Sequence, residues 1–572
     1  MKSRYFDAEL AYLREQGREF AEKYPQAAGL LAEKSDDPDV ERLLEGFAFL
    51  AASVRERADD AIPELAYLYA SVLVPSLTRY IPPVSLVQFR PEAQALRERQ
   101  FVPRGSRVSG KIGGTTCLFR TTADLTLLPL TIEDVRHTRP KTTVDEILVT
   151  LRTPPQLSKN VGRERLRFHL HGSLSFWTGL RGWLLRFCKE LTVVAGDEVL
   201  ARLDPAEIRS VGFGDDERLF PERALEHDAF SRVAEWFAFP EKFSFVDIPA
   251  VGDAVRPSFG LRFVFDGAPK LPRPPIRDDV RLHCVPVINL FEESGDPINF
   301  DPLSPTSLMR VSGYDPANAE IWDVTSVEGI GESGRWTYPP FASYEESPDG
   351  DSRFFSLRRR QASGIGGTNL FLSINTARDA KSIAQRQVLS TNLIASNRST
   401  ACELRIGDLN HPVRGCPTSA PFSNISAVAP PLYPHDDVEL VWRLASHLAL
   451  SRRELHDAAN LRRLLRTYNF AARSNPNLGG LNEALIASVR DVTVEPRVRV
   501  VKGAPITGTR SVVTVASSAF SSSAEALMFG ELLDDLFARR VSLNSFNEFV
   551  IRISPSGEQH GWPPRNGQIV IA

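Results

Sequence analysis

The chain has 572 residues, 42% hydrophobic, 24% charged and 9% aromatic, which is apolar material for several packed cores and too much for a disordered chain. Its 68 basic and 71 acidic residues give a net charge of −3, spread in both signs along the sequence, which excludes the strong basic field of a nucleic-acid binder. Cys117, Cys188, Cys284, Cys402 and Cys416 are odd in number and without a framework spacing, so a reducing compartment is expected. The first residues show no apolar leader, and the longest apolar stretch, Phe47 to Val54, is too short to span a bilayer. A cytoplasmic location is expected.

The N-terminal part reads as helical over residues 1–84. Phe6, Leu10, Leu13, Gly17, Phe20 and Tyr24 recur at alternating spacings of four and three, a stripe along one helix face that Pro25 closes. Asp37-Pro38 supplies an N-cap and a proline at the first helical position. Val40, Leu43, Leu44, Phe47, Leu50, Ala51, Val54 and Ala58 then keep a 3.6-residue period. A third helix is expected to start near Pro63, carry Leu65, Tyr69, Val72 and Leu73, and stop by Pro75. Such stripes need a helical partner, either each other or another chain.

From about Ser85 the pattern becomes β-rich, and two domains are expected, 85–275 and 276–430. Leu166 to His171, Leu261 to Phe265 and Cys284 to Leu290 alternate as strands. A helical insertion is expected around Pro221 to Ala238, with Leu225, Phe230, Val233 and Phe237 on one face. Pro269 to Pro275 and Pro430 to Pro434 read as seams. The C-terminal domain, 431–572, mixes both classes. Capping boxes at Ser451–Glu454 and Ser522–Glu525 precede apolar helical runs. Arg497 to Val500 reads as a half-exposed strand, and Gln568 to Ile571 as a last one. The fold class is α+β, multidomain.

Chemistry is scarce. No nucleophile elbow, zinc-protease helix or phosphate-binding loop occurs. Ile112-Gly113-Gly114-Thr115 and Ile365-Gly366-Gly367-Thr368 lack the lysine of a phosphate loop and read as hairpin turns. His169 and His171 share one strand face, but two imidazoles leave zinc short of ligands, so an exposed face is expected. Cys402, His411 and Cys416 lack an anchoring Cys-x-x-Cys pair. Asp36, Asp37 and Asp39 suit a helix cap better than a calcium loop. Arg358-Arg359-Arg360 reads as a solvated strand or a contact with an acidic partner. Asp59-Asp60 and Glu292-Glu293 read as solvated faces. No catalytic residue, metal or cofactor is expected.

A resemblance lies in several collinear blocks. Glu9-Leu10-Ala11-Tyr12-Leu13-Arg14-Glu15, then Phe20-Ala21, Tyr24-Pro25 and Asp37 through Leu50 form the longest; Asp59-Asp60 and Pro63-Glu64-Leu65 continue it. His283 through Phe291, Asp296-Pro297-Ile298, Trp442 through Leu448, Ser542 through Phe546 and Trp562 through Gly567 follow in order. Together these resemble the TssF (ImpG/VasA) family of type VI secretion baseplate subunits over nearly the whole chain. One departure is Ser390-Thr391-Asn392-Leu393, where the family carries Cys-Thr-Asn-Arg, which puts any contact of that cysteine or arginine in doubt.

The resemblance implies a structural wedge subunit with no cofactor or reaction. Its implied partners are a TssG-like subunit, a second copy of the same chain, TssK, TssE and the VgrG spike, in a cytoplasmic baseplate docked at the inner-membrane complex. Phe6, Leu10, Leu13, Phe20 and Tyr24 are then the candidate subunit interface. The rival readings are an enzyme with an unrecognised site and a stand-alone ligand-binding β protein.

Overall fold

The computed structural model describes residues 2–24, 38–92, 96, 98–155, 161–220, 230–301, 306–331, 334–341, 353–362, 366–376, 387–413, 416, 420–434, 454–501 and 503–567. Two compact units divide the chain: Met1–Leu73 with His435–Ser446, and Val74–Pro434 with His447–Ala572. Pro25, Asp36, Asp37, Ser451 and Gln568 to Ile571 lie outside the described residues.

In the first unit, helix α1 (Lys2–Lys23) packs against helix α2 (Pro38–Leu73). The expected third helix is a continuation: α2 runs unbroken through Pro63. An interior proline forfeits one backbone hydrogen bond and costs about 3 kcal/mol, which the remaining turns of a 36-residue helix outweigh. Glu9 of α1 pairs with Arg55 of α2 at 2.5 Å, and Arg14 with Glu41 at 2.9 Å. The partner number falls as the α1 number rises, so the hairpin is antiparallel. Two surface pairs of this kind, each with one partly buried side chain, fix register and add only about 0.2–1 kcal/mol each.

The second unit is built mainly from antiparallel sheets. One six-stranded sheet runs in the order His411–Pro412, Arg107–Ile112, Thr115–Thr121, Cys284–Ile288, Val84–Phe89, Phe422–Asn424. It joins strands from before and after residue 275. A five-stranded sheet has the order Glu198–Leu203, Cys188–Ala195, Ser258–Asp266, Val144–Arg152, Thr131–Lys141. Within Ser258–Asp266, Leu261, Phe263 and Phe265 are buried while Arg262 and Val264 are half-exposed, the alternation that the sequence shows. A four-stranded sheet ends on the short strand Val280–Arg281, beyond Leu166–Leu170. Gly113 and Gly114, both at positive φ, close the hairpin 107–121, and Gly366 and Gly367 lie in the turn between Arg353–Gln361 and Thr368–Thr376. Only glycine takes such paired φ values cheaply, so both stretches are turns.

The C-terminal part holds one parallel pairing, Ala504–Ala516 with Phe546–Ser554, bridged by the helix Ser523–Ala538. Ser522 caps that helix by accepting from the Glu525 N–H at 3.2 Å, while the Glu525 carboxylate accepts from the Ser521 N–H at 2.7 Å. The other expected capping box, Ser451–Glu454, falls on residues outside the described ones apart from Glu454; the described helix of that segment begins at Ala458, and Asp457 caps it. Its first turn is set by the nearer carboxylate, which reaches the Ala459 N–H. Of the helical insertion expected around Pro221 to Ala238, the described part holds the helix Ser231–Ala238, and residues 221–229 lie outside the described ones.

The strand expected at Arg497 to Val500 is present within Val489–Val501, but its half-exposure is corrected. It pairs antiparallel with Ala504–Ala516, and the parallel strand Phe546–Ser554 joins that second arm only from Thr509 onward, so the hairpin tip is a two-stranded ribbon. Val498 and Val500 are exposed along with Arg497 and Arg499, rather than one face being covered.

Candidate assembly surface

The five residues of the candidate interface fall into two groups. Phe6, Leu10 and Leu13 are half-buried, whereas Phe20 and Tyr24 are exposed with ring centroids 4.6 Å apart. The stripe is one face of α1, but the structure leaves only its C-terminal end open.

The larger open apolar surface is on α2. Leu43 is 73% exposed, Phe47 67%, Leu50 63% and Val54 70%. Their spacing of four, three and four places them on one line of the helix, the spacing of a coiled-coil seam. Ala48 (0% exposed) and Ala52 (5%) lie one turn apart on another face and are buried. Small side chains let helices approach closely, so the alanines suit the inner face of α2 and the larger residues are left outside. The sequence periodicity ran both faces together, because a helix that is apolar on two sides gives no single stripe. The Ala48/Ala52 pair was the available signal. Tyr12, Phe49 and Tyr69 are exposed as well.

Burying a side chain of this size is worth about 1.5–3 kcal/mol. Covering the exposed two-thirds or so of four of them would yield roughly 4–8 kcal/mol before the cost of association. Scattered exposed leucines are ordinary; an aligned row is a mark of an interaction site.

The titratable groups of the second unit are organised differently. The carboxylate of Glu320 accepts from the Thr368 N–H at 2.8 Å and the Tyr433 hydroxyl at 2.9 Å, with Arg359 and Arg398 guanidinium nitrogens each at 3.9 Å. Arg359 also donates to the carbonyls of Ile321 and Trp322, both at 2.7 Å. The expectation of a solvated arginine run fails at Arg359, which is buried because a distant strand supplies its acceptors. Glu235 and Lys242 form a second buried pair, and burial pushes the lysine down to about 8 despite the carboxylate. These groups are partnered within enclosed networks, the arrangement of structural cross-links rather than of a reactive cleft.

His169 is 2% exposed and hydrogen-bonds through Nδ1 with Ser244 Oγ at 2.8 Å, so the expected open face is corrected at His169, where Phe245 packs on the ring, while His171 is half-exposed. Burial is the first cause that holds the His169 pKa well below the usual value. Cys416 is buried, Cys402 packs against the same core cluster, and His411 is exposed at a sheet edge. Burial raises the thiols of Cys402 and Cys416 to about 12 and 11, away from the thiolate form that binds metal. Among the described residues no group of three or more His, Cys, Asp and Glu converges for a metal.

His283 gives a pH prediction. Its Nε2 accepts from the Leu128 N–H at 3.1 Å, and burial lowers its pKa from 6.5 to about 4. The unfolded chain therefore binds the proton first. Stability is fully present above about pH 6.5 and falls as pH drops toward 4, by roughly 3 kcal/mol from this residue at about 1.4 kcal/mol per unit. His169 acts in the same direction. Denaturation midpoints measured from pH 7 to pH 4 should fall more steeply for the native chain than for His283→Gln; equal slopes would contradict this.

The family model "Type VI secretion system, TssF" matches residues 2–569. The "Type VI secretion system component TssF1" of Pseudomonas aeruginosa is 26% identical, with 98% of each chain covered. A chain of the TssK-TssF-TssG baseplate subcomplex solved by cryo-electron microscopy superposes with a TM-score of 0.79 at 25% identity, covering 93% of this chain and 100% of that one. A chain of the type VI secretion baseplate complex gives a TM-score of 0.60 at 28% identity over 99% of each. With its helical N-terminal hairpin, its stack of sheets and a match over nearly its full length, the chain belongs to the TssF family and is a structural subunit of the type VI secretion baseplate.

Proposed function

We propose that the chain acts as a wedge component that holds neighbours through its N-terminal helices and catalyses no reaction. Its direct partner is a TssG-like subunit together with a second copy of itself, and the wedge engages TssK, TssE and the VgrG spike at a baseplate docked on the inner membrane. The observation that carries this reading is the row Leu43, Phe47, Leu50 and Val54, apolar, aligned and open to solvent. It is supported by the similarity to a chain of the solved TssK-TssF-TssG baseplate subcomplex. Phe20 and Tyr24 extend the proposed contact; Phe6, Leu10 and Leu13 stiffen the hairpin that presents it. Leu13→Glu would therefore disturb the hairpin itself, whereas Phe20→Glu tests the contact.

Co-expression with the TssG-like partner should raise the soluble yield and the thermal midpoint of the chain, because covered apolar surface no longer drives self-association. A monodisperse chain with neither quantity changed by the partner would count against the proposal.

A further inference from the structure

The sheet-rich unit holds a cleft that the proposed helical contact does not use. This cleft of ≈ 380 Å³ is lined by Arg90, Arg277 and Arg281 above a floor that includes Phe89, Ile132 and Leu282. The floor residues are buried, Arg90 and Arg277 are exposed, and Arg281 is half-exposed. Asp278 is the one carboxylate among the lining residues, so three positive charges against one negative leave a net +2.

These arginines differ from the carboxylate-gripping arginines elsewhere in the described residues. Arg139, Arg167, Arg273 and Arg466, for example, each grip a carboxylate with two nitrogens or two oxygens. In the cleft, Arg277 Nε donates to the Ile132 carbonyl at 3.1 Å and Arg281 Nε to the Asp278 carbonyl at 3.0 Å. Each contact fixes the stem and leaves the terminal fork unbonded among the described residues, and Arg90 makes no side-chain bond there. The field reaches neighbouring groups: Arg281 adds to the lowering of the buried His169, and Arg281 with Arg90 partly offsets the rise that burial gives the Cys284 thiol.

The walls add a second observation. Val280–Arg281 is the last strand of the four-stranded sheet, and Thr131–Lys141 is the last strand of the five-stranded one. Both border the cleft through Val280, Arg281, Thr131 and Ile132. Terminal strands are where an extended segment adds main-chain pairing, with alternate side chains sorted into pockets. Here one set would meet an apolar floor and the other arginine forks, which match carboxylates in pairs.

We propose that this cleft binds an extended acidic segment of a partner protein, with carboxylates on Arg90, Arg277 and Arg281 and an apolar side chain on the Phe89–Leu282 floor. Its volume falls within the range of about 300–1,000 Å³ typical of ligand-holding clefts. Three arginines on a chain of net charge −3 make too small a field for a nucleic-acid track. The partner would be a neighbour in the assembly, so the biological setting rests on the proposed function, while the chemistry does not.

The test uses the full chain and a fluorescent octapeptide of alternating glutamate and valine, followed by anisotropy. The expected result is saturable binding that weakens with salt, is absent for the lysine-for-glutamate peptide, and drops about a hundredfold in Arg277→Gln/Arg281→Gln, about tenfold per charged contact. Arg90→Gln, an exposed residue with no side-chain bond among the described ones, should lose about tenfold with an unchanged circular dichroism spectrum, and it decides the matter if the double variant misfolds. Binding should persist in Phe47→Glu/Leu50→Glu, which separates this site from the helical seam. No binding at millimolar peptide, binding indifferent to Arg90→Gln, or tighter arginine-dependent binding of oligo-dT than of the acidic peptide would each overturn the proposal.

Discussion

The double variant Phe47→Glu/Leu50→Glu is expected to fold like the native chain and to fail to join its TssG-like partner. Both side chains stand mostly in solvent in the isolated chain, at 67% and 63% exposure, so glutamate there costs little before assembly. In a helical interface the same positions lose roughly 2–4 kcal/mol of apolar burial, and an unpaired carboxylate held away from water adds several more. Each 1.4 kcal/mol is tenfold in affinity, so dissociation should strengthen by at least about a hundredfold. Far-UV circular dichroism and co-purification read the two halves of this prediction separately. Phe47→Met/Leu50→Met should retain association, since size and apolarity are kept.

Glu320→Ala should be among the most destabilising single substitutions in the sheet-rich unit. It leaves Arg359 and Arg398, 6% and 4% exposed, facing an empty site, and it strips acceptors from the Thr368 N–H and the Tyr433 hydroxyl. Breaking a buried ion pair from one side costs about 3–5 kcal/mol. Glu320→Gln keeps shape and some hydrogen bonds but not the charge, so its loss should lie between alanine and native. Denaturant unfolding followed by tryptophan fluorescence checks this, because Trp322 packs in the same region, with its indole N–H on the Tyr80 carbonyl at 3.0 Å. An alanine variant within about 1 kcal/mol of native would contradict the structural role given to this network.

How much of this could be read from the residues depended on how local its cause was. Leu261, Phe263 and Phe265 alternate because a strand has two faces, and Gly113-Gly114 makes a tight turn because both residues need positive φ. Each is settled within a few positions. Pro63 misled because a proline's local cost was smaller than what a long helix recovers elsewhere. Arg359 looked solvated because its acceptors at Ile321 and Trp322 come from another strand. The arginine cleft was not legible at all: Arg90, Thr131 and Arg277 are far apart in sequence and meet only when two sheets lay their terminal strands side by side. For the helical hairpin, the stripe Phe6 to Tyr24 was visible, but which apolar face points outward depended on Ala48 and Ala52 being small. The collinear blocks of resemblance, by contrast, carried the family without any of these details.

The most direct measurement is hydroxyl-radical footprinting of the chain alone and in complex with its TssG-like partner, with mass spectrometry reading oxidation residue by residue. Free, Phe47, Leu50 and Val54 should be readily oxidised and the buried Phe263 and Phe265 should not. On assembly, the three seam residues should become protected by about the exposure they have in the isolated chain, while the sheet cores stay unchanged. A stable complex in which Phe47, Leu50 and Val54 remain as reactive as in the free chain would contradict the account.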